Sequence, residues 1–218
     1  MPTRKKPYSS IIEHYESCLQ KYGDSHRGVD WPNQEDAETR YRVMLDVIAT
    51  SAAKSVTLLD FGCGASHLYE YILRCGLDHI RYSGLDLSGK FISLSRSKFP
   101  HVNYYCLDIL EDQPALPHFD YIVLNGVFTE KCTLSFQEKF SYFKRVVISL
   151  FHKTNMGIAF NVMSSHVEWE REDLFHLPLD TLADFLTKDL TRSFMIRNDY
   201  GLYEYTAYVY KRGVLKGG

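Results

Sequence analysis

At Leu58-Leu59-Asp60-Phe61-Gly62-Cys63-Gly64-Ala65-Ser66 an apolar run ends in an acid and then turns through two glycines separated by one residue. Val56 to Leu59 has the character of a short buried strand, and His67 to Leu73 reads as the start of the following helix. Glycine lacks Cβ and tolerates positive φ, so the backbone of this turn can approach a ligand above the strand's carboxyl end. A dinucleotide turn beginning at Gly62 needs a third glycine where His67 stands, which disfavours a pyrophosphate. Asp60 points the same way, because a carboxylate there repels phosphates and suits a cation.

The same order of strand and acid recurs downstream. Ile80 to Ser88 gives a second strand ending at Asp86, about 20 residues or more beyond the glycine turn, where an acid accepts hydrogen bonds from ribose hydroxyls. The alternative for Asp86 is a solvated acid at a strand end. Ser88 caps a helix over Gly89 to Lys98, closed by Pro100. Val102 to Ile109 is a third unit with Asp108 at its end, either a ligand or the start of a turn toward Pro114 and Pro117. Phe119 to Phe128 is the fourth strand, apolar almost throughout, with Asn125 and Gly126 at its ligand end.

Beyond it, Phe136 to Leu150 is an amphipathic helix and Met156 to Met163 a fifth strand, leaving Ser164 to Trp169 as a polar and aromatic lip. Asp180 caps a helix reaching Lys188. Leu190 to Arg197 and Glu204 to Tyr210 form a closing strand pair around the turn Asn198 to Gly201. Ahead of the core, helices at 9–22 and 34–53 flank the segment Gly23 to Pro32, the second starting at Asn33. Alternating strands and helices of this kind build a parallel sheet with helices on both faces.

Asp60-Phe61-Gly62-Cys63-Gly64 resembles motif I, D/E-x-G-x-G, of the class I S-adenosylmethionine (SAM) dependent methyltransferases, and the strand ends at Asp60, Asp86, Asp108 and Asn125 follow in that family's order. The resemblance covers about Val56 to Arg212. It implies a doubly wound, Rossmann-like α/β fold of three layers, with seven strands, mostly parallel and with an antiparallel last strand. Residues 1–55 then form an N-terminal helical cap, 56–212 the SAM-binding core and 213–218 a tail.

It also implies SAM as cofactor and S-adenosylhomocysteine (SAH) as product. Asp60, Gly62, Cys63 and Gly64 would surround the amino-acid end, Asp86 and Leu87 the ribose, and Asp108 and Ile109 the adenine. Asn125 would lie between cofactor and substrate. Trp31, like Tyr15 and Tyr41, would pack on adenine or on the sulfonium, core packing being the other reading. The phrases His14-Tyr15-Glu16, Tyr22 to His26 and Arg197 to Tyr205 resemble a bacterial subgroup of small methyltransferases, some associated with surface-polysaccharide or sugar modification. Asn125-Gly126-Val127-Phe128 is similar to the N-P-P-Y/F motif of amino-methylating enzymes only superficially, since both prolines are missing.

Methyl transfer is an in-line displacement, so positioning the acceptor and excluding water are the protein's main tasks. An oxygen acceptor needs its proton removed, and the imidazole of His166, after the fifth strand, titrates in the right range. Glu168 would orient it or bind substrate, and His26 on the N-terminal loop is the next candidate; Tyr200 and Tyr203 would line the acceptor. The expected activity is methyl transfer to a small molecule, to a hydroxyl of a sugar or related metabolite, with N-methylation as the alternative. An NAD-dependent oxidoreductase and a non-catalytic SAM-binding protein remain open.

Composition excludes several other classes. With 218 residues, 45% hydrophobic, the chain suits one compact domain. A net charge of -2 gives no footprint for nucleic acid, and Arg4-Lys5-Lys6 reads as a solvated tail. Five scattered cysteines without C-x-x-C pairs predict neither disulfides nor a metal site. The N-terminus is too polar for a signal peptide and no apolar run approaches membrane-spanning length, so a cytoplasmic location without membrane insertion is expected.

Overall fold

The computed structural model describes residues 8–48, 54–112 and 115–214. Arg4-Lys5-Lys6, Pro114, the end of the helix expected over 34–53 and most of the 213–218 tail lie outside them. Among the described residues eight strands form one sheet: β1 (Val56–Phe61), β2 (Ile80–Leu85), β3 (Asn103–Tyr105), β4 (Phe119–Leu124), β5 (Thr154–Ser164), β6 (His176–Leu177), β7 (Phe194–Arg197) and β8 (Glu204–Tyr210). The order is β3-β2-β1-β4-β5-β8-β7, with the two-residue β6 attached to the end of β5. β1 to β5 pair in parallel, and β8 runs antiparallel between β5 and β7. This is the expected doubly wound fold, and the addition is β6, too short to leave a periodic signature.

Alternation along the strands creates the three layers. Leu59, Phe61, Ile122, Leu124, Ile158 and Phe160 face α5 (Phe136–Lys153) and α6 (Leu179–Asp189), which contribute Phe143, Val147, Leu150, Phe185 and Leu186. On the other face Leu58, Tyr82, Tyr121, Val123, Ala159 and Tyr208 meet α2 (Gln34–Leu45), α3 (His67–Arg74) and α4 (Gly89–Lys98) through Val43, Met44, Leu68, Ile72 and Ile92. α2 thus packs in the same layer as α3. α1 (Ser9–Tyr22) joins a smaller cluster of Tyr8, Ile11 and Leu134, with Tyr15 and Tyr142 against it.

Local chemistry sets the helix ends. Asn33 and Ser88 accept the backbone N–H of Asp36 and Phe91 respectively, and Ser135 with Glu138 forms a reciprocal capping box on α5. Asp180 is not a cap: Pro178, with extended backbone, holds that position, so Asp180 falls within the first turn of α6. The strand expected from Leu190 begins only at Phe194, because Leu190 and Thr191 still donate to the Leu186 carbonyl as the helix unwinds. β1 is longer than expected, since Asp60 and Phe61 remain in register with Gly84 and Leu85 of β2.

Candidate functional site

A cavity opens above the carboxyl ends of β1, β2 and β4 and is covered by the N-terminal segment. Its floor is the β1–α3 turn. Gly62 and Gly64 both adopt positive φ, at 77° and 49°, and the N–H groups of Gly62 and Cys63 converge on the Leu85 carbonyl at 2.7 and 3.0 Å. A Cβ on Gly62 would stand 2.6 Å from Val127 Cγ2, so backbone conformation and crowding both select glycine. Ser95 Oγ donates to the Gly64 carbonyl at 2.8 Å and lies 2.9 Å from Ser66 Oγ, which buttresses the turn from below.

Two carboxylates face this turn. Asp86 accepts the Gly64 N–H at 3.0 Å through one oxygen and the Ser88 N–H at 2.8 Å through the other. Burial raises its pKa, opposed by the N–H groups of Ser88, Gly64 and Leu87. Asp60 is buried beneath, where it accepts the Tyr82 hydroxyl at 2.8 Å. Burial pushes its carboxyl up to about 7; the Tyr82 hydrogen bond opposes this and the charge of Asp86 adds to it. No cationic side chain offsets either acid among the described residues that line the cavity. A cationic ligand with hydroxyl groups would suit this pair.

The walls come from sequence far away. Tyr8, Ile11, Ile12 and Tyr15 present one face of α1 and the residue before it, while Val29 and Trp31 come from the turn between α1 and α2. Val29 packs on the glycine turn, its Cγ1 3.1 Å from where a Gly64 Cβ would be. His67, in the place of the missing third glycine, meets Asp24 at 2.8 Å and ties this segment to α3. Tyr15 donates to the Gly126 carbonyl at 3.3 Å, and burial, followed by the charges of Glu130 and Asp30, holds its phenol well above the usual range.

Of the residues expected at a cofactor, Asp60, Gly62, Cys63, Gly64, Asp86, Leu87, Asn125 and Trp31 all line this cavity, as do Tyr15 and Tyr41. Asp108 and Ile109 do not. The Tyr8 hydroxyl donates to the Asp108 carboxylate from the cavity side, the other Asp108 oxygen accepts the Leu110 N–H at 3.0 Å, and Ile109 is buried in the core beneath the sheet. His166 and Glu168 are exposed on the loop after β5, and His26 sits in the short 3-10 helix His26–Val29 with its carbonyl accepting the Trp31 N–H. None of the three lines the cavity wall, and the start of the loop that carries His166 and Glu168 is fastened by His176 on the Ser164 carbonyl at 2.6 Å. Tyr200 bonds Thr206 and packs in the core, and Tyr203 is exposed, so neither lines the site.

Sequence reading missed Tyr8, Ile11, Val29 and Tyr142 as wall residues, and Lys139 beneath them. Lys139 is fully buried, with Nζ 3.5 Å from the Val127 carbonyl, and burial pushes its pKa down to about 7 against the pull of Cys132 and Glu130. His14 Nε2 lies 2.7 Å from Asp30 and 3.9 Å from Cys18, a trio accounted for by the His14–Asp30 hydrogen bond.

The family profile described as "Methyltransferase domain" matches residues 59–146, which contain the glycine turn, both carboxylates and the tip of β4. Residues 59–146 are a methyltransferase domain, and the fold around it is that of SAM-dependent methyltransferases. A curated Mycobacterium tuberculosis protein named "Putative methyltransferase Rv1506c" is 25% identical over 166 residues, 74% of this chain and 96% of that one. In fold, this methyltransferase is similar to magnesium protoporphyrin IX methyltransferase from Synechocystis PCC 6803, solved with bound SAM, with a TM-score of 0.64, 11% identity and coverage of 97% and 100% of the two chains. It is also similar to the N-methyltransferase NodS from Bradyrhizobium japonicum WM9, solved with SAH, with a TM-score of 0.62, 17% identity and coverage of 92% and 97%. The cofactor is SAM, which sets aside the NAD-dependent alternative. No helix among the described residues is long and apolar enough to cross a membrane.

Proposed function

We propose that the cavity binds SAM and that the methyl group passes to a small acceptor held at the tip of β4, a hydroxyl of a sugar-like metabolite. Asp86 accepts the ribose hydroxyls, the turn at Gly62, Cys63 and Gly64 carries the amino-acid end, and Asp60 lies below its positive charge. Leu87 lines the ribose and Trp31 closes the far wall. When bound, SAM supplies a methyl already activated by a sulfonium. The chain's own part is to position the acceptor and keep water out, which the aromatic walls Tyr8, Tyr15, Trp31 and Tyr142 do.

One observation carries the acceptor reading. Among the described residues Asn125 Oδ1, in the wall of the cavity, is buried without a hydrogen-bond partner, an acceptor that suits a donor O–H or N–H. The missing prolines after Asn125 favour the hydroxyl. Transfer to an amine is the second reading, favoured by Glu130, which lies behind the cavity wall close enough to act on the Tyr15 phenol. The Glu130 carboxyl is raised by burial and by the neighbouring charge of Asp30, and it would attract a cationic acceptor.

The test is incubation of the purified full chain with methyl-labelled SAM and a panel of sugars, sugar nucleotides and amines, with products resolved by mass spectrometry. Label on a carbohydrate oxygen supports the proposal. Label only on nitrogen replaces it with the second reading, and absence of transfer across the panel, with SAH bound tightly, reduces the protein to a cofactor binder.

A further inference from the structure

A ring of contacts closes around the tip of β4. Gly126 donates its N–H to Asn161 Oδ1 at 2.8 Å, and Asn161 Nδ2 donates to Glu204 Oε1 at 2.9 Å. The Nε–H of Arg40 is shared between both Glu204 oxygens, at 3.1 and 2.9 Å. The Arg40 guanidinium lies 4.3 Å from the centre of the Trp31 ring. Trp31 Cη2 and Cζ2 return to Gly126, each 2.7 Å from where a Cβ would stand. The path therefore starts and ends on one glycine.

Burial gives each link force. The Glu204 side chain is 1% exposed and that of Arg40 11%, so neither charge has bulk water to replace its partner. Asn161 and Glu204 are fixed by the antiparallel ladder of β5 and β8, where Asn161 opposes Thr206 and Glu204 opposes Met163. Arg40 and Trp31 instead reach in from α2 and the turn before it. Arg40 Nη1 is buried without a hydrogen-bond partner among the described residues, while Glu204 and the indole face hold the guanidinium at its edge and its plane. A planar cation suits both at once, pairing at its edge and stacking on its face.

We propose that Glu204 is a positioning residue: through Asn161 and Arg40 it holds the Trp31 indole against Gly126 and keeps the cavity closed at the tip of β4. Trp31 is the wall that faces this tip, so its placement sets how readily a bound ligand leaves. The inference rests on the cavity being the cofactor site, and the experiment separates the two.

The full chain carrying Trp169→Phe retains Trp31 as its sole tryptophan; Trp169 is 69% exposed and outside the cavity. Acrylamide quenching and emission of Trp31 are measured with and without SAH, and SAH release is followed by stopped flow. Glu204→Ala should raise the quenching constant several-fold, shift emission to the red and speed SAH release about tenfold, an effect expected in the off-rate rather than the on-rate. Glu204→Gln, which keeps one acceptor oxygen for Asn161 but no charge for Arg40, should recover part of each change. Should Glu204→Ala fail to fold, Arg40→Met interrupts the next link and must expose Trp31 equally. Unchanged quenching in folded Glu204→Ala or Arg40→Met overturns the proposal. A parent protein that binds no SAH while Trp31 still answers to Glu204 would overturn the cofactor site and leave the positioning role standing.

Discussion

Replacing Asp60 by asparagine isolates the electrostatic cost built into the floor of the site. Burial moves the Asp60 carboxyl from 3.8 to about 7, a rise of about 3 pH units. At about 1.36 kcal/mol per unit this is about 4 kcal/mol of native-state stability withheld once the group is ionised. The sign follows from the raised value. Below about pH 3.8 Asp60 is protonated folded or unfolded and costs nothing; the loss accumulates as pH rises to about 7 and is constant above. The asparagine side chain carries no charge and still offers Tyr82 an oxygen. Urea unfolding of wild type and Asp60→Asn from about pH 4 to about pH 8, without ligand, should therefore show near equality at the acid end and the variant more stable by up to about 4 kcal/mol at the alkaline end. Saturating SAM should shrink the gap by favouring the ionised Asp60. A difference that stays flat with pH, or favours the wild type at the alkaline end, refutes the reasoning.

Asp86→Ala should weaken SAH binding at least about 100-fold by calorimetric titration, because two hydrogen bonds to a charged group contribute about 1.5–3 kcal/mol each; retained affinity would place the ribose elsewhere. Lys139→Met should stabilise the protein at pH 7 by about 4 kcal/mol, since the lysine's value drops from 10.5 to about 7 and the wild type loses stability as pH falls across that interval. The gain should fade toward pH 10.5, and a pH-independent effect would assign it to packing instead. His166→Ala should leave SAH affinity and turnover within about twofold of wild type, the range expected of an exposed substitution, and a large loss of turnover would bring the loop after β5 into the reaction.

The core was legible because its signals are local. An apolar run ending in an acid identifies both a strand and the end of it that meets ligand, so Asp60, Asp86 and Asn125 could be placed together without knowing the sheet order. Caps did the same for helices, with Asn33 and Ser88 bonding as their positions predict. The loops were less readable. Adjacency to a strand tip puts His166 at the right end of the sheet but says nothing about which way Ser164 to Trp169 turns, and a contact that fastens the start of this loop comes from His176, bonded to the Ser164 carbonyl from twelve residues away. Asp108 likewise sits where the pattern puts it, yet Tyr8, a hundred positions earlier, occupies its carboxylate. The apolar face of α1 announces that something will be covered. Only the fold reveals that it is the cavity.

The placement of β8 has a consequence for how the molecule is made. Residues 204–210 are fully buried and lie between β5 and β7, so the inner edge of the half-finished sheet stays bare until synthesis has passed Tyr210. Glu204, the far anchor of Arg40, arrives on the same strand. A nascent chain that has already emitted the glycine turn and both carboxylates thus cannot yet assemble the Arg40–Glu204 pair, and chains interrupted before this point would offer chaperones and proteases the open edge of β5 opposite β4.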